Sequence, residues 1–187
     1  MSPPVEMDSP LWRFSLAVYR TPGVQEECLA VQERHGIDVN LLLLCAYTGA
    51  VEGAVLSASD VADALEASGA WHGNVVKALR QVRRTLKPWG AGQGTLANVV
   101  EGLRVKVKGA ELEAEQIEQA MMWTWLRAQA GQLRPREPHQ ALAANVFALL
   151  VRCGATGAQA DPLRALPHFC AAALQASTRD RVTGTDA

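Results

Sequence analysis

Residues 38–49 read Asp-Val-Asn-Leu-Leu-Leu-Leu-Cys-Ala-Tyr-Thr-Gly, and this stretch decides the fold. Asp38 is a helix N-cap residue, Gly49 is a terminator, and the four successive leucines between them leave no polar face. A helix that is apolar all round has to be enclosed, so the stretch predicts a central helix with neighbours on every side. The flanking sequence supplies those neighbours. Ser9-Pro10 opens a helix that runs to Tyr19 with Arg13 on its wet side, and Thr21-Pro22 opens a second that Gly36 closes. Beyond the centre, Ser59 caps a short helix to Ser68, Gly69 breaks it, and another runs from about 72 to 87 and stops at Pro88.

The remainder is also helical in pattern. Residues 88–94 form a loop by composition, and helical periodicity resumes at Thr95. Residues 103–108 alternate apolar and basic side chains, a strand signal; a lone strand has no partner, so they are read as helix or helix end, broken at Gly109. Helices over 111–130, 139–153 and 162–176 follow, with a Gly- and Pro-rich joint at 131–138 and a kink at Pro167. The expected fold is all-α: a single-domain bundle of about seven or eight helices over residues 9–176, with a core at 9–130 and C-terminal helices at 139–176. Residues 1–8 and 177–187 are expected to be flexible.

Composition narrows the function classes. The 187 residues carry 19 acidic and 18 basic side chains, a net charge of −1, so bulk electrostatics gives no reason to seek nucleic acid or anionic lipid. The longest apolar run, 41–47, is far short of the ~20 residues of a membrane span. The first ten residues contain Glu6 and Asp8, no basic residue and no apolar core, unlike a secretory signal, so a cytoplasmic location is expected. Cys28, Cys45, Cys153 and Cys170 lie far apart in apolar segments and read as reduced core thiols. Nucleotide-binding glycine loops, the Gly-x-Ser-x-Gly elbow and the His-Glu-x-x-His zinc signature are all missing from the sequence.

Five segments resemble a family of small proteobacterial proteins of uncharacterised function: Leu-Trp-Arg-Phe-Ser-Leu-Ala-Val-Tyr at 11–19, the run from Thr21 to Gly49, Trp71, Val-Val-Lys-Ala-Leu-Arg-Gln-Val-Arg-Arg-Thr-Leu-Lys at 75–87, and Lys-Gly-Ala-Glu-Leu-Glu-Ala-Glu-Gln-Ile-Glu-Gln at 108–119. The resemblance is collinear over residues 11–118 and implies an all-helical bacterial protein; it transfers no catalytic residue.

Charge is segregated along the chain. Residues 1–68 hold ten acids and three bases, 69–110 one acid and eight bases, and 111–187 eight acids and seven bases. At ~100° per residue, Lys77, Arg80, Arg84 and Lys87 share one helix face, opposite Leu79, Val82 and Leu86. That stripe either solvates its helix and pairs with the acidic first third, or contacts an anionic partner. Glu111, Glu115 and Glu118 share one side of their helix, bordered by apolar residues, and such a row wants cationic partners: Arg83, Arg104, Lys106 and Lys108 are candidates, so the basic and acidic segments should meet. A di-iron bundle needs Glu-x-x-His pairs, and no histidine follows a glutamate at that spacing. Trp12, Trp71, Trp123 and Trp125 read as core or interface anchors; Trp89, in the glycine-rich loop, is expected to be exposed.

Two functions are compatible with these features. In the first, the protein is a non-catalytic interaction or adaptor module, with Lys77, Arg80, Arg84, Lys87 and Trp89 contacting a protein or other anionic partner, nucleic acid being weakly supported because no aromatic residue interleaves with the stripe. In the second, it is a small-ligand-binding protein or enzyme with a polar pocket between the central and acidic helices, lined by Asp38, Asn40, Glu111 and Glu115. Asp38 also suits a plain capping role, with Asn40 bonded to nearby backbone. No catalytic residue, metal site or cofactor is expected, and the oligomeric state is left open.

Overall fold

The structure, a computed structural model, describes residues 5–92 and 94–183, the side chains of 179–183 excepted. It is an all-α bundle. In chain order the elements are α1 (Pro10–Tyr19), α2 (Val24–His35), α3 (Val39–Ala50), β1 (Ala54–Val55), α4 (Ala58–Trp71), a π-helical turn (His72–Val76), α5 (Lys77–Gly90), α6 (Thr95–Ala128), β2 (Arg134–Pro135), α7 (Pro138–Arg152), a 3-10 turn (Gly157–Gln159), α8 (Pro162–Ala165) and α9 (Pro167–Thr183). β1 and β2 form a two-residue antiparallel bridge, with Ala54 opposite Pro135 and Val55 opposite Arg134.

α3 is the centre that its leucines require: eleven of its twelve residues are buried. Its Asp38 cap is in place, Oδ1 accepting from the Asn40 amide at 2.9 Å. α1, α4, α6, α7 and α9 pack around it, α7 most extensively. A Cβ on Gly49 would stand 2.4 Å from the Leu142 backbone, so this close crossing of α3 and α7 requires glycine. Buried Asn145 fastens the same junction. Its Nδ2 donates to the carbonyls of Cys45 (3.2 Å) and Ala54 (3.0 Å), and its Oδ1 accepts from the Leu56 amide (2.8 Å).

Several expected boundaries move. α2 starts at Val24, because Thr21-Pro22 is spent in a turn and Gly23 is left-handed at φ 86°. Ser57, not Ser59, caps α4: Asp60 sits three residues on and returns the bond, completing a capping box. Gly69 does not break the chain, which stays helical from α4 through the π-turn into α5, and α5 continues past Pro88 to Gly90. Gly109 is likewise crossed: α6 has 34 residues and spans about 51 Å at ~1.5 Å per residue. A mid-helix glycine costs only ~1 kcal/mol, which packing along the whole element exceeds. Residues 103–108 lie within α6, so their alternation is not a strand. Pro167 starts α9 as a separate helix and does not kink one already formed.

Neither chain end stops where the pattern suggested. Glu6 accepts from Trp123 Nε1 at 2.8 Å and the Met7 carbonyl from Gln116 at 2.9 Å. α9 passes 176 and ends at Thr183; residues 1–4 and 184–187 lie outside the described residues. Among the described residues no helix is long and apolar enough to cross a membrane. α5 contains no buried residue and packs chiefly on α6, forming a two-helix arm attached to the bundle.

Candidate functional site

Where that arm meets α1, α2 and α3, the surfaces leave a cleft of about 530 Å³. Trp12, Leu16, Tyr19, Leu29 and Leu43 give it an apolar body; Arg84 and Lys108 come from the arm, and Asp38, Asn40, Glu111 and Glu115 all line it. The four residues expected around a polar pocket are therefore brought together. Ser15 and Gln119 also line the cleft, and Ser15 Oγ and Gln119 Oε1 are buried with no hydrogen-bond partner among the described residues.

The basic and acidic segments meet in this wall. Arg80 donates to Glu111 Oε1 (3.0 Å), Glu115 Oε1 (2.7 Å) and Gln32 Oε1 (3.0 Å). Arg83 donates to both oxygens of Glu111. Burial by itself pushes the Glu111 carboxyl up, but the two guanidiniums outweigh it and hold the group below the usual carboxylate range. Glu115 goes the other way, because burial outweighs Arg80. Of the partners expected for the glutamate row, Arg83 is found there; Arg80, not among those expected, is the second, Arg104 pairs instead with Glu101 on its own helix, and Lys106 and Lys108 make no ion pair among the described residues.

The remaining members of the basic stripe have a different environment. Lys77, Arg84 and Lys87 are exposed and make no ion pair among the described residues, whereas Arg80 is consumed by the network. Trp89 is 65% exposed, although it ends a helix and does not sit in a loop. Cys28, Cys45 and Cys170 are buried thiols pushed up to about 12 by desolvation, so none is a thiolate nucleophile at neutral pH.

At the inner end of the cleft lies a second constellation that the sequence reading did not assemble. His72 Nδ1 stands 3.3 Å from Asp38 Oδ2 and 3.0 Å from Glu118 Oε1, and all three side chains are buried, Glu118 completely. Among the described residues none of the three atoms has a well-aligned hydrogen bond, so each meets only the other two. Burial and the neighbouring Glu118 push the Asp38 carboxyl up to about 7. Burial pulls His72 down, but the two carboxylates outweigh it and raise it. His72 opens the π-turn, whose Lys77 amide reaches back to the His72 carbonyl, and Trp71 Nε1 ties the end of α4 to the Ala114 carbonyl of α6 at 2.9 Å. Asn40 holds the far oxygen of each carboxylate: its amide bonds Asp38 Oδ1 and its Nδ2 bonds Glu118 Oε2 at 2.7 Å. Gln119 then donates to Asn40 Oδ1 at 2.9 Å. One signal in the sequence points here: Val61, Ala64, Ser68 and His72 recur at i, i+3, i+7 and i+11, putting the histidine on the inward face of its helix.

No curated protein and no solved structure matches the chain. Residues 10–122 match the family described as a protein of unknown function (DUF2390), and the resemblance read at 11–118 falls inside that span. The match takes in more than half of the chain, from α1 through most of α6, and includes Asp38, Asn40, His72, Arg80, Glu111 and Glu118; the chain belongs to the DUF2390 family.

Proposed function

We propose that this protein binds a small amphipathic anion in the cleft between the arm and the bundle. The observation that carries the reading is the lining itself: an apolar body with two buried polar atoms, Ser15 Oγ and Gln119 Oε1, that have no hydrogen-bond partner among the described residues. Buried polar atoms are nearly always hydrogen-bonded, so an occupant offering a donor satisfies both. Arg80 and Arg83 are neutralised by Glu111 and Glu115, which leaves Arg84 and Lys108, exposed and without an ion pair among the described residues, as positive charge at the cleft. A ligand with an apolar body, a hydroxyl or amine, and a carboxylate or phosphate matches this set.

The test uses anilinonaphthalene sulfonate, an apolar anion, as the probe. The native protein should bind it saturably at one site, read by energy transfer from Trp12. The double reversal Arg84→Glu/Lys108→Glu should weaken binding about tenfold or more, and Val105→Trp should block it by filling the cleft from an exposed position. Binding unchanged in both variants would refute the reading.

One observation favours a second function, contact with a macromolecular partner through the arm: Trp89, Leu96 and Val99 are 65%, 69% and 65% exposed around the hairpin tip, beside Lys87. That surface is separate from the cleft. Substituting Lys77, Lys87 and Trp89 should then remove partner capture and leave probe binding intact.

A further inference from the structure

We propose that Asp38 Oδ2, Glu118 Oε1 and His72 Nδ1 bind one divalent first-row transition-metal ion at the floor of the cleft, a site that stands independently of whatever molecule the cleft takes. Three observations converge on it. The first is geometric. Ligand bonds of ~2.0–2.2 Å subtending 90–110° place neighbouring ligand atoms roughly 3.0–3.4 Å apart, and the imidazole nitrogen lies 3.0 and 3.3 Å from the two carboxylate oxygens. All three atoms fall within 4.8 Å of one another.

The second is the state of those atoms. Each is buried and, among the described residues, approached only by the other members of the cluster, at 3.0 and 3.3 Å and without well-aligned hydrogen-bond geometry, while the opposite oxygen of each carboxylate is already held, in both cases by Asn40. Supporting groups that orient ligands in this way, leaving one lone pair aimed inward, are what a metal site requires beyond its ligands. The third is charge. Two carboxylates share one buried spot, and neither is paired with a lysine or arginine among the described residues. Carboxylates this close repel one another, and a bound cation relieves that repulsion. Two carboxylates and one imidazole form a mixed oxygen and nitrogen set that suits Zn²⁺, Mn²⁺ or Fe²⁺ better than a soft ion. The cluster borders two cavities: Asp38 lines the large cleft, and His72 lines a smaller one of about 280 Å³ that shares Arg80 with it.

The full-length chain, stripped with a chelator and titrated separately with Zn²⁺, Mn²⁺ and Co²⁺, should take up one ion per molecule. Its Tm should rise by about 5–10 °C at a hundredfold excess over Kd. Bound Co²⁺ should show d–d absorption stronger than the hydrated ion and should broaden the ring resonances of His72, not those of His35, His139 or His168. Asp38→Asn and Glu118→Gln, which keep shape, should each weaken uptake at least hundredfold; Asn40→Ala should weaken it about 10–100-fold, and Glu113→Gln, exposed on the same helix, should leave it unchanged. If a variant fails to melt cooperatively, the Co²⁺ broadening in the native chain decides. A native protein whose Tm and Co²⁺ spectrum do not respond overturns the proposal and assigns the cluster to a shared proton. Uptake that persists in both isosteric variants, or broadening of another histidine, overturns it as well.

Discussion

Arg80 and its helix-face neighbours differ in consequence although they share one chemistry. The guanidinium joins α5 to Glu111 and Glu115 of α6 and to Gln32 of α2, so its loss strands a nearly buried carboxylate. Removing one partner of such a pair costs roughly 3–5 kcal/mol, and Arg80→Ala should fall at the lower end because Arg83 still reaches Glu111. Lys77→Gln and Lys87→Gln, at exposed and unpaired positions, should each change stability by less than ~0.5 kcal/mol in urea unfolding. The same network sets an acid limit. Glu111 is held below its unfolded value, so the unfolded chain binds more protons at low pH; its contribution is complete above the ordinary carboxylate pKa of ~4.3 and is lost as pH falls through the lower folded value. Glu115, raised by burial, works in the opposite sense, favouring the fold in its protonated form, so the total acid slope understates Glu111. The comparison that isolates it is the native chain against Glu111→Gln: unfolding midpoints measured from pH 6 down to pH 3 should fall more steeply in the native protein. Equal slopes would mean the Arg–Glu contacts do not persist in solution.

Among the elements, the α3–α7 crossing is the least forgiving. A methyl at Gly49 would have to displace Leu142 backbone, which no rotamer change relieves, so Gly49→Ala should cost about 1–3 kcal/mol and lower Tm by roughly 2–4 °C for each of them. An unchanged Tm would show that the two helices can separate freely. This contact also marks what the sequence could and could not tell. The Ser9 and Asp38 caps, the Gly36 terminator and the enclosed leucine helix were legible, because each is set by groups within a few residues. The breaks expected at Gly69, Pro88 and Gly109 were not, because penalties of ~1–3 kcal/mol are local and the packing that exceeds them is not. The site divides in the same way. Asp38, Asn40, Glu111 and Glu115 could be gathered from charge and capping, while spacing puts His72 and Glu118 only on the inward faces of their helices; their meeting with Asp38 depends on the π-turn and on the packing of distant elements, which spacing does not encode.

At the scale of the molecule, the family match and the folding unit do not coincide. The match ends at residue 122, yet α3 needs a cover that only the following segment supplies. Leu142, Val146, Leu149, Leu150, Phe169 and Ala173 of α7 and α9 are buried in the same core as the α3 leucines. Polar ties cross the boundary as well: Asn145 closes the carbonyls of Cys45 and Ala54, and Glu27 of α2 caps α9 by accepting from the amides of His168 (3.0 Å) and Phe169 (2.9 Å). Each large side chain uncovered forfeits ~1.5–3 kcal/mol, so removing this cover costs an amount comparable with the 5–15 kcal/mol by which a domain is normally stable. A fragment of residues 1–130, which keeps α1 through α6 and hence every residue of the cleft and of the His72 cluster, should therefore lack a cooperative thermal transition. It should bind anilinonaphthalene sulfonate at many weak sites, and adding residues 131–187 as a separate chain should restore both the transition and single-site probe binding. A fragment that melts cooperatively near the Tm of the full chain would show the C-terminal helices to be an appendage, and the enclosure of α3 would then need another explanation.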